Sequence, residues 1–258
     1  MAAAPVPARA APSGDVRRLR HALPDGASTT VHVAEYDADR VEIRVAVLRG
    51  QGRLEGFCAR RGVTDAIVGG FFTRPDGLPL GEVRTRGVER RHVPFLAPYG
   101  DHRACVHVQG GRARIAARDA LARQPRGDLL QAGPLLVQEG AAVYTRAGDP
   151  EGFSAGAAQF DSDITLGRHP RAALGLADGK LIAVACDGRS RRDAGMTLEE
   201  LAALLAGLGV NTAINLDGGG STSLVAGGRL RNRPRSGHER PEPGGRPIST
   251  ALLFVPRR

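Results

Sequence analysis

The chain has 258 residues, of which 41% are hydrophobic, and this is enough for one domain with a buried core. Aromatic residues make up only 4% and tryptophan is absent, which argues against a lectin that stacks sugars on indole rings. The net charge of +9 comes from arginines that are scattered along the chain, so charge alone does not predict a nucleic-acid binder. A compositional bias explains this charge best, and attraction of phosphate-bearing substrates is the alternative.

The cysteines and the first residues bear on the compartment. Cys58, Cys105 and Cys186 stand far apart without metal-type spacing, which predicts buried free thiols in a reducing compartment. The Ala/Pro-rich residues 1–14 lack the continuous apolar core of a signal peptide, and no stretch reaches transmembrane length. We expect a disordered tail over 1–14, one domain over 15–258 and a cytoplasmic location, or a secreted one if a leader has been omitted. The oligomeric state is left open.

Apolar periodicity predicts strands through the first half of the chain. The segment "RVEIRVAVL", which begins at Arg40, alternates like a half-buried strand. The run "DAIVGGFF" predicts a strand whose backbone bends or approaches another group at Gly69 and Gly70. The pair "RACVHV" and "RARIAA" predicts a hairpin, and "LLQAGPLLVQEG" holds two apolar runs separated by Gly133 and Pro134.

The second half predicts further strands and one helix. The segment "RAALGLADGKLIAVACDGR" reads as two strands joined by an Asp-Gly turn pair. Thr197 and Glu200 form a capping box before leucines at helical spacing, and Gly209 ends that helix. The runs "TAINL", "STSLV" and "ISTALLFV" predict strands, whereas 229–247 predicts a loop with function or disorder. The predicted class is α+β: one compact domain of mixed or antiparallel twisted sheets with few helices.

The stretch "AINLDGGGSTSLV" (213–225) combines the features of a ligand-binding loop. It runs a strand into Asp217, three glycines and three hydroxyl residues. Glycines let backbone N–H groups approach a ligand, and an acid at a strand end can face a cleft, which predicts an oxyanion or phosphate nest beside an acid. A purely structural turn is the alternative. Walker, dinucleotide and nucleophile-elbow motifs do not fit these residues.

Several motifs together resemble the phosphodiester glycosidase family. They are the glycine stretch, "CDGR", "GMTLEELAALLAGLGV", "AIVGGFF", "AGPLLVQEG", "RHPRAALGL", and "NRP" followed by "GRPISTALLF". The resemblance covers Val41 to Val255, and the joint order of the motifs is more specific than any one of them. It implies a hydrolase that cleaves a sugar from a phosphodiester between the anomeric carbon and a phosphate oxygen.

Two positions depart from the family pattern. Val68 stands where the family commonly has asparagine before the Gly-Gly pair, so one polar contact is expected to be missing. Near the C-terminus, spacing assigns Arg246 to the arginine of the family's Glu-Arg-Pro pattern and Gly245 to its acid. Glu239 in "HERP" matches the acid only with a shift and is a weaker candidate.

The resemblance also implies site residues. Hydrolysis at the anomeric carbon requires stabilisation of an oxocarbenium-like transition state, usually by two carboxylates, and arginines can neutralise the departing phosphate. We assign catalytic roles to Asp217, Asp187 and Arg171. Substrate-binding roles are assigned to Gly70, His169, Arg189, Asn215, Gly218, Gly219, Gly220, Ser221, Thr222 and Arg246.

Each of these roles has an alternative. Asp217 acts as nucleophile, base or electrostatic stabiliser, or it caps its own turn. Asp187 is either the second carboxylate or part of an Asp-Gly turn. Arg171, Arg189 and Arg246 are proposed phosphate clamps, although any single arginine in so arginine-rich a chain is more often a surface residue. His169 donates a proton or serves as a structural hydrogen-bonding group, and Asn215 orients the loop.

Other functions and ligands also stay open at this point. Asp217, Asp187 and Glu239 are an alternative ligand set for a divalent cation, although no cofactor is required. The expected partner is a small or polymer-linked sugar phosphodiester, with no nucleic acid. The runner-up function is a non-catalytic module that binds sugar phosphates or nucleotides, and nucleic-acid binding is a third hypothesis.

Overall fold

Strands dominate the computed structural model, which describes Pro12, 14–154 and 164–257. Apart from Pro12 and Gly14, the predicted tail over 1–14 lies outside the described residues. Three helices occur in the described residues: α1 (Leu54–Arg61), α2 (Tyr99–His102) and α3 (Leu198–Gly207). Short 3-10 turns lie at Arg118–Ala120, Arg146–Gly148 and Gly219–Ser221. No helix in the described ranges is long and apolar enough to span a bilayer.

The largest sheet has seven strands in the order β1-β2-β13-β12-β14-β10-β11. In chain order these are β1 (Asp15–Ala22), β2 (Ser28–Asp37), β10 (Leu135–Gln138), β11 (Ala141–Ala142), β12 (Arg171–Ala177), β13 (Lys180–Cys186) and β14 (Thr212–Asn215). Helix α3 packs against the β10, β11 and β14 end of this sheet. As predicted, β12 and β13 form a hairpin, in which Ala177 pairs with Lys180.

Two five-stranded sheets pack on the face of the large sheet opposite to the face that α3 covers. The first has the order β16-β15-β4-β19-β3 and the second the order β6-β5-β9-β7-β8. Their strands are β3 (Val41–Gly52), β4 (Asp65–Val68), β5 (Val83–Thr85), β6 (Val88–Glu89), β7 (Ala104–Gln109), β8 (Arg112–Ala117), β9 (Asp128–Gln131), β15 (Leu224–Ala226), β16 (Arg229–Leu230) and β19 (Ile248–Pro256). The strand pairings within these sheets are antiparallel, which confirms the predicted fold class.

The segment predicted as a loop over 229–247 contains a small hairpin. Its strands are β17 (Arg235–Gly237) and β18 (Arg240–Pro241), which pair antiparallel and form a two-stranded sheet of their own. This hairpin packs against the 3-10 turn at Gly219–Ser221. Strands this short form because neighbouring chain segments pair with them, so their residues carry little periodic signal.

The core divides along the two faces of the seven-stranded sheet. Aliphatic residues of the three main sheets fill the larger cluster, which includes Ile214 and Leu216. Ala213, on the opposite face of β14, packs in the second cluster together with the leucines of α3. The Thr197/Glu200 capping box is present at the start of α3, as predicted. All three cysteines are free and buried, which also agrees with the sequence.

Candidate active site

The ends of several strands converge where the polar motifs begin. Ala173 of β12 pairs with Asn215 of β14, and Arg171 pairs with Cys186, so the residues beyond these strand ends are neighbours. The amide of Asp217 donates to the carbonyl of Gly69 at 2.9 Å, which brings in the end of β4 from another sheet. Motifs that are far apart in sequence therefore meet at one edge of the fold.

These strand ends surround a cavity of about 280 Å³. This volume is slightly below the usual range of about 300 to 1,000 Å³ for small-molecule sites, so the cavity encloses a small group or part of a larger molecule. Its described lining residues are Phe71, Arg74, Ile164, His169, Arg171, Arg189, Asn215, Leu216, Asp217, Gly218, Gly219, Gly220, Ser236 and Arg246.

Each of the three glycines has a close neighbour. A Cβ atom on Gly218 would lie 2.9 Å from the carbonyl oxygen of Pro170. A Cβ atom on Gly219 would lie 3.1 Å from Nη1 of Arg189, and one on Gly220 would lie 3.1 Å from Nη2 of Arg246. Gly219 also has a φ of +60°, a conformation that favours glycine. The glycines thus let two guanidinium groups lie directly on the loop backbone.

The loop differs from a simple nest of free amides. The N–H of Gly218 donates to Oδ1 of Asp217 at 2.9 Å, and the N–H of Gly219 donates to the carbonyl of Pro170 at 2.8 Å. Two of the three glycine amides are therefore engaged within the protein. Positive charge at this site comes chiefly from the arginine side chains that the loop accommodates.

Asp217 lies in the cavity wall with an elevated pKa. Burial raises the pKa of its carboxyl group to about 6, while the Ser221 hydroxyl, the Arg246 guanidinium and the Gly218 N–H partly offset this rise. Among the described lining residues, Asp217 is the one carboxylic acid. A carboxyl group with this pKa exchanges a proton near neutral pH, which suits it to acid or base chemistry.

Arg189 is held in place by the β17–β18 hairpin and by a histidine. Its Nη1 donates to the carbonyls of Arg235 and Ser236 at 3.2 and 2.9 Å, and its Nη2 lies 3.3 Å from Nδ1 of His169. Since a guanidinium group only donates, Nδ1 of His169 accepts and the ring proton lies on Nε2. Burial, followed by the charge of Arg246, lowers the pKa of Arg189. An anion between the two arginines would relieve that repulsion.

Arg171 supports the wall of the cavity. It is 3% exposed, and its three guanidinium nitrogens donate to the backbone carbonyls of Met196, Ile164 and Gly167. Most of its hydrogen-bonding capacity therefore holds the chain around the cavity. Its predicted role as a catalytic phosphate clamp is untested, and these contacts favour a structural role.

Asp187 lies outside the described lining of the cavity. It is 2% exposed, its Oδ1 accepts from the backbone N–H of Arg233 at 2.6 Å, and its Oδ2 lies 3.5 Å from Nε2 of His32. These contacts tie the end of β13 to β2 and to the segment that enters the β17–β18 hairpin. Its predicted catalytic role stays a prediction, and its surroundings favour a positioning role.

The alternative cation site is not assembled. The exposed Glu239 accepts from the backbone N–H of Arg191 at 2.6 Å, whereas the carboxylate of Asp187 faces Arg233 and His32. The part of the chain that the structure describes contains no group of three or more His, Cys, Asp or Glu residues that could hold a metal ion.

Three predicted binding residues, Gly70, Ser221 and Thr222, lie outside the described lining of the cavity. Gly70 donates its N–H to the Thr250 hydroxyl at 3.0 Å, and the buried Ser221 and Thr222 form the exit from the glycine loop. Val68 is fully buried in the main core cluster, so the position expected to lack a polar contact faces apolar residues. Gly245 has a φ of +79°, and a Cβ atom there would lie 2.5 Å from Oγ of Ser223. An acidic side chain at Gly245 would not fit without a shift.

Sequence reasoning missed five lining residues: Phe71, Arg74, Ile164, Leu216 and Ser236. Phe71 lies with its ring centroid 6.0 Å from that of Phe153, which provides a rigid apolar wall. Phe71 directly follows the Gly-Gly pair, and this position is the signal that could have identified it. Ser236 belongs to the hairpin that the sequence did not predict, and Ile164 carries no polar signal.

Comparison with known proteins shows the family of the chain. Residues 61–255 match the family model described as "Phosphodiester glycosidase". An uncharacterized protein derived from the SPbeta prophage of Bacillus subtilis, YomE, is 39% identical over 74 residues. That segment is 28% of this chain and only 12% of the relative's length.

Solved structures share the fold. The catalytic domain of zebrafish N-acetylglucosamine-1-phosphodiester alpha-N-acetylglucosaminidase, auto-inhibited by its pro-peptide, aligns with a TM-score of 0.70 at 23% identity, over 95% of this chain and 83% of that one. A putative exported protein of Burkholderia pseudomallei aligns with a TM-score of 0.67 at 18% identity, covering 90% and 75%. A hypothetical protein from Synechocystis has a TM-score of 0.63 and 19% identity, with 93% of this chain covering 62% of that one.

Proposed function

The chain belongs to the phosphodiester glycosidase family, and on that basis we propose that it hydrolyses glycosyl phosphodiesters between the anomeric carbon of the sugar and the phosphate oxygen. One observation carries this proposal. A single cavity is lined by the Asp217 carboxyl group and by the guanidinium groups of Arg189 and Arg246, which lie on the glycine loop. Such a site combines one proton-exchanging group with fixed positive charge, as the reaction requires.

The arginines serve the leaving group. As the bond between the anomeric carbon and the phosphate oxygen breaks, its electron pair stays on that oxygen and the phosphate gains negative charge. Guanidinium groups that are already in place stabilise this charge without reorganisation. A phosphate monoester stabilised in this way leaves without a strong general acid, which fits a cavity whose described lining contains one carboxylic acid.

Asp217 serves the sugar. Its ionised form stabilises the positive charge that develops on the sugar ring and accepts a proton from the attacking water. The water oxygen bonds to the anomeric carbon, and the products are the free sugar and a phosphate monoester. Because the Gly218 N–H fixes one carboxylate oxygen, the other is oriented to receive the proton.

A substrate panel tests the proposal. The purified protein is incubated with nucleotide sugars and with methyl phosphodiesters of different sugar 1-phosphates, and the products are identified by mass spectrometry. We expect a free sugar and a phosphate monoester from at least one substrate, and a loss of at least about 100-fold in turnover for Asp217→Asn. The matched control is Asp39→Asn, whose carboxylate is 94% exposed, and it should keep wild-type turnover.

The runner-up function predicts a different result from the same panel. A non-catalytic module would be stabilised against thermal unfolding by one of these ligands while releasing no product over hours. Wild-type turnover by Asp217→Asn would remove Asp217 from the mechanism. Thermal unfolding of this variant, expected to be close to that of the wild type, separates lost chemistry from lost fold.

A further inference from the structure

Asn215 is fixed at the floor of the cavity by three hydrogen bonds to one segment. Its backbone N–H donates to the carbonyl of Pro134 at 2.9 Å, and its own carbonyl accepts from the N–H of Gly133 at 3.0 Å. Its side-chain Nδ2 donates to the carbonyl of Gly133 at 2.9 Å. The side chain therefore has one orientation, set by a partner that can only accept.

That orientation turns the amide oxygen, Oδ1, away from the Gly133 carbonyl. Because the Gly133 carbonyl requires a donor, the nitrogen of the amide must face it and Oδ1 must point away. Asn215 is 1% exposed, and within the described residues its Oδ1 has no hydrogen-bond partner. A buried acceptor without a partner is costly, so this atom is expected to receive a hydrogen bond when the site is filled.

The residues beneath Asn215 are closely packed. Gly133 has a φ of +126°, and a Cβ atom there would lie 2.8 Å from Oε2 of Glu151 and 2.9 Å from the ring of Phe153. The Glu151 carboxyl group in turn accepts from the backbone N–H groups of Ala104, at 2.7 Å, and Leu135. Asn215 thus rests on a closely packed layer, and no described residue of that layer donates to Oδ1.

The charges of the cavity indicate which kind of donor can form a hydrogen bond to Oδ1. Arg74, Arg189 and Arg246 line the same cavity, and a cation would be repelled there. The phosphate of a substrate offers only acceptors to Oδ1, which is itself an acceptor. The sugar of a glycosyl phosphodiester, which the proposed mechanism places beside Asp217, supplies donors in its hydroxyl groups and in the N–H of an acetamido group.

We infer that Oδ1 of Asn215 accepts a hydrogen bond from a hydroxyl or amide N–H group of the sugar, and so selects the sugar. This inference rests on the proposed function and deepens it. The sugar lies at the floor beside Asn215 and Asp217, and the phosphate lies toward Arg189 and Arg246. Asn215 is a specificity-determining residue, because its preference depends on the position of one donor on the ring.

A deoxy series tests the inference. Dissociation constants are measured by calorimetry in the Asp217→Asn variant, with the methyl phosphodiesters of α-glucose 1-phosphate and its N-acetylglucosamine counterpart. Analogues in which each sugar hydroxyl in turn is replaced by hydrogen, and one without the acetamido group, complete the set. We expect one analogue to bind at least about tenfold more weakly than its parent, since it leaves Oδ1 unpaired.

The second half of the test removes Asn215. In Asp217→Asn/Asn215→Ala, the sensitive analogue and its parent should bind equally within about twofold. Asn211→Ala is the matched control, because Asn211 bonds the exposed Asp178 near the opposite end of the same strand, and it should keep the tenfold difference. If Asn215→Ala does not fold, Asn215→Leu, of similar volume, replaces it.

Three results would overturn the inference: no analogue is weakened, the weakening persists without Asn215, or neither parent binds. Failure of the proposed function would look different. In that case the wild-type protein would release no product from either parent phosphodiester, while the calorimetric discrimination and its loss on removing Asn215 would still be measured.

Discussion

The proton on Asp217 controls whether the proposed chemistry can occur. Burial raises the pKa of this carboxyl group to about 6, and in the proposed mechanism the ionised form acts as the base. We therefore expect kcat/KM to be constant above about pH 7 and to fall about tenfold per pH unit well below 6, because the phosphodiester itself does not titrate in this range. Initial rates at constant ionic strength measure this profile.

Two other pH profiles would contradict the role of Asp217 as a base. A kcat/KM that stays constant down to about pH 4.5 would mean that no group with the pKa of Asp217 acts as a base. An activity that rises as the pH falls would assign the protonated form, and hence a general-acid role, to this residue.

Gly220 provides the second prediction at the level of single residues. A methyl group on Gly220 would lie 3.1 Å from Nη2 of Arg246, and it would displace the guanidinium group rather than strain the backbone. Gly220→Ala should fold normally and raise KM about five- to tenfold, which corresponds to about 1 kcal/mol of lost phosphate contact. Gly207→Ala, where a Cβ atom has no neighbour within 4 Å, is the control and should leave KM unchanged.

At the level of secondary-structure elements, Asp187 joins three parts of the fold. It lies after β13, faces His32 of β2 and accepts from Arg233, just before the β17–β18 hairpin that holds Arg189. Asp187→Asn keeps an oxygen for the Arg233 N–H, so we expect kcat/KM within about tenfold of wild type, against a loss of at least about 100-fold for Asp217→Asn. Equal losses in both variants would make Asp187 a catalytic residue.

The elements that could be predicted from sequence are those with local causes. The alternation from Val41, the Asp-Gly turn between β12 and β13, and the capping box of α3 depend on residues close together in the chain. Strands β16 to β18, which lie in the segment predicted as a loop, depend instead on partners that folding brings to them. The hairpin over Arg235–Pro241, and with it Ser236, was therefore not predictable from periodicity.

The site could be predicted only in part, and the prediction came from the family resemblance and not from local sequence signals. The resemblance located Asp217, the three glycines, Arg189 and Arg246, which the structure places around one cavity. It gave no means to separate these residues from Arg171, which lines the cavity but whose guanidinium group bonds to backbone carbonyls, or from Asp187, which lies outside the described lining. Side-chain partners depend on the packing of distant segments, which one sequence does not reveal. Arg74 was missed because no motif distinguishes it from the other arginines.

For the whole molecule, buried acids predict how stability depends on pH. Burial raises the pKa of Glu151 to about 7 and that of Asp217 to about 6, above their values in the unfolded chain. The folded state therefore holds protons that the unfolded state has released, so stability is greatest below these pKa values and is lost as the pH rises through them. We expect the free energy of unfolding to fall by at least about 1 kcal/mol between about pH 5 and pH 8.

Urea denaturation across that range measures this dependence. Paired acids act in the opposite sense: Arg118 and Arg84 lower the pKa of Glu82, and Arg168 lowers that of Glu200, although burial opposes both shifts. Their contribution is present above the unfolded pKa and is lost in acid, which sets the low-pH limit of stability. Asp217→Asn should show a smaller fall than wild type between about pH 5 and pH 8. A stability that rises with pH over this range would contradict the prediction.

The position of bond cleavage tests the central claim most directly. The reaction is run in water enriched in oxygen-18 with a substrate that the protein turns over, and the phosphate monoester product is analysed by mass spectrometry. Attack of water on the anomeric carbon, with the arginines stabilising the departing phosphate, predicts a phosphate monoester that carries no heavy oxygen. Incorporation of the heavy oxygen into that phosphate would show cleavage at phosphorus and would contradict the assignment of Asp217 and the arginine pair to glycosidic hydrolysis.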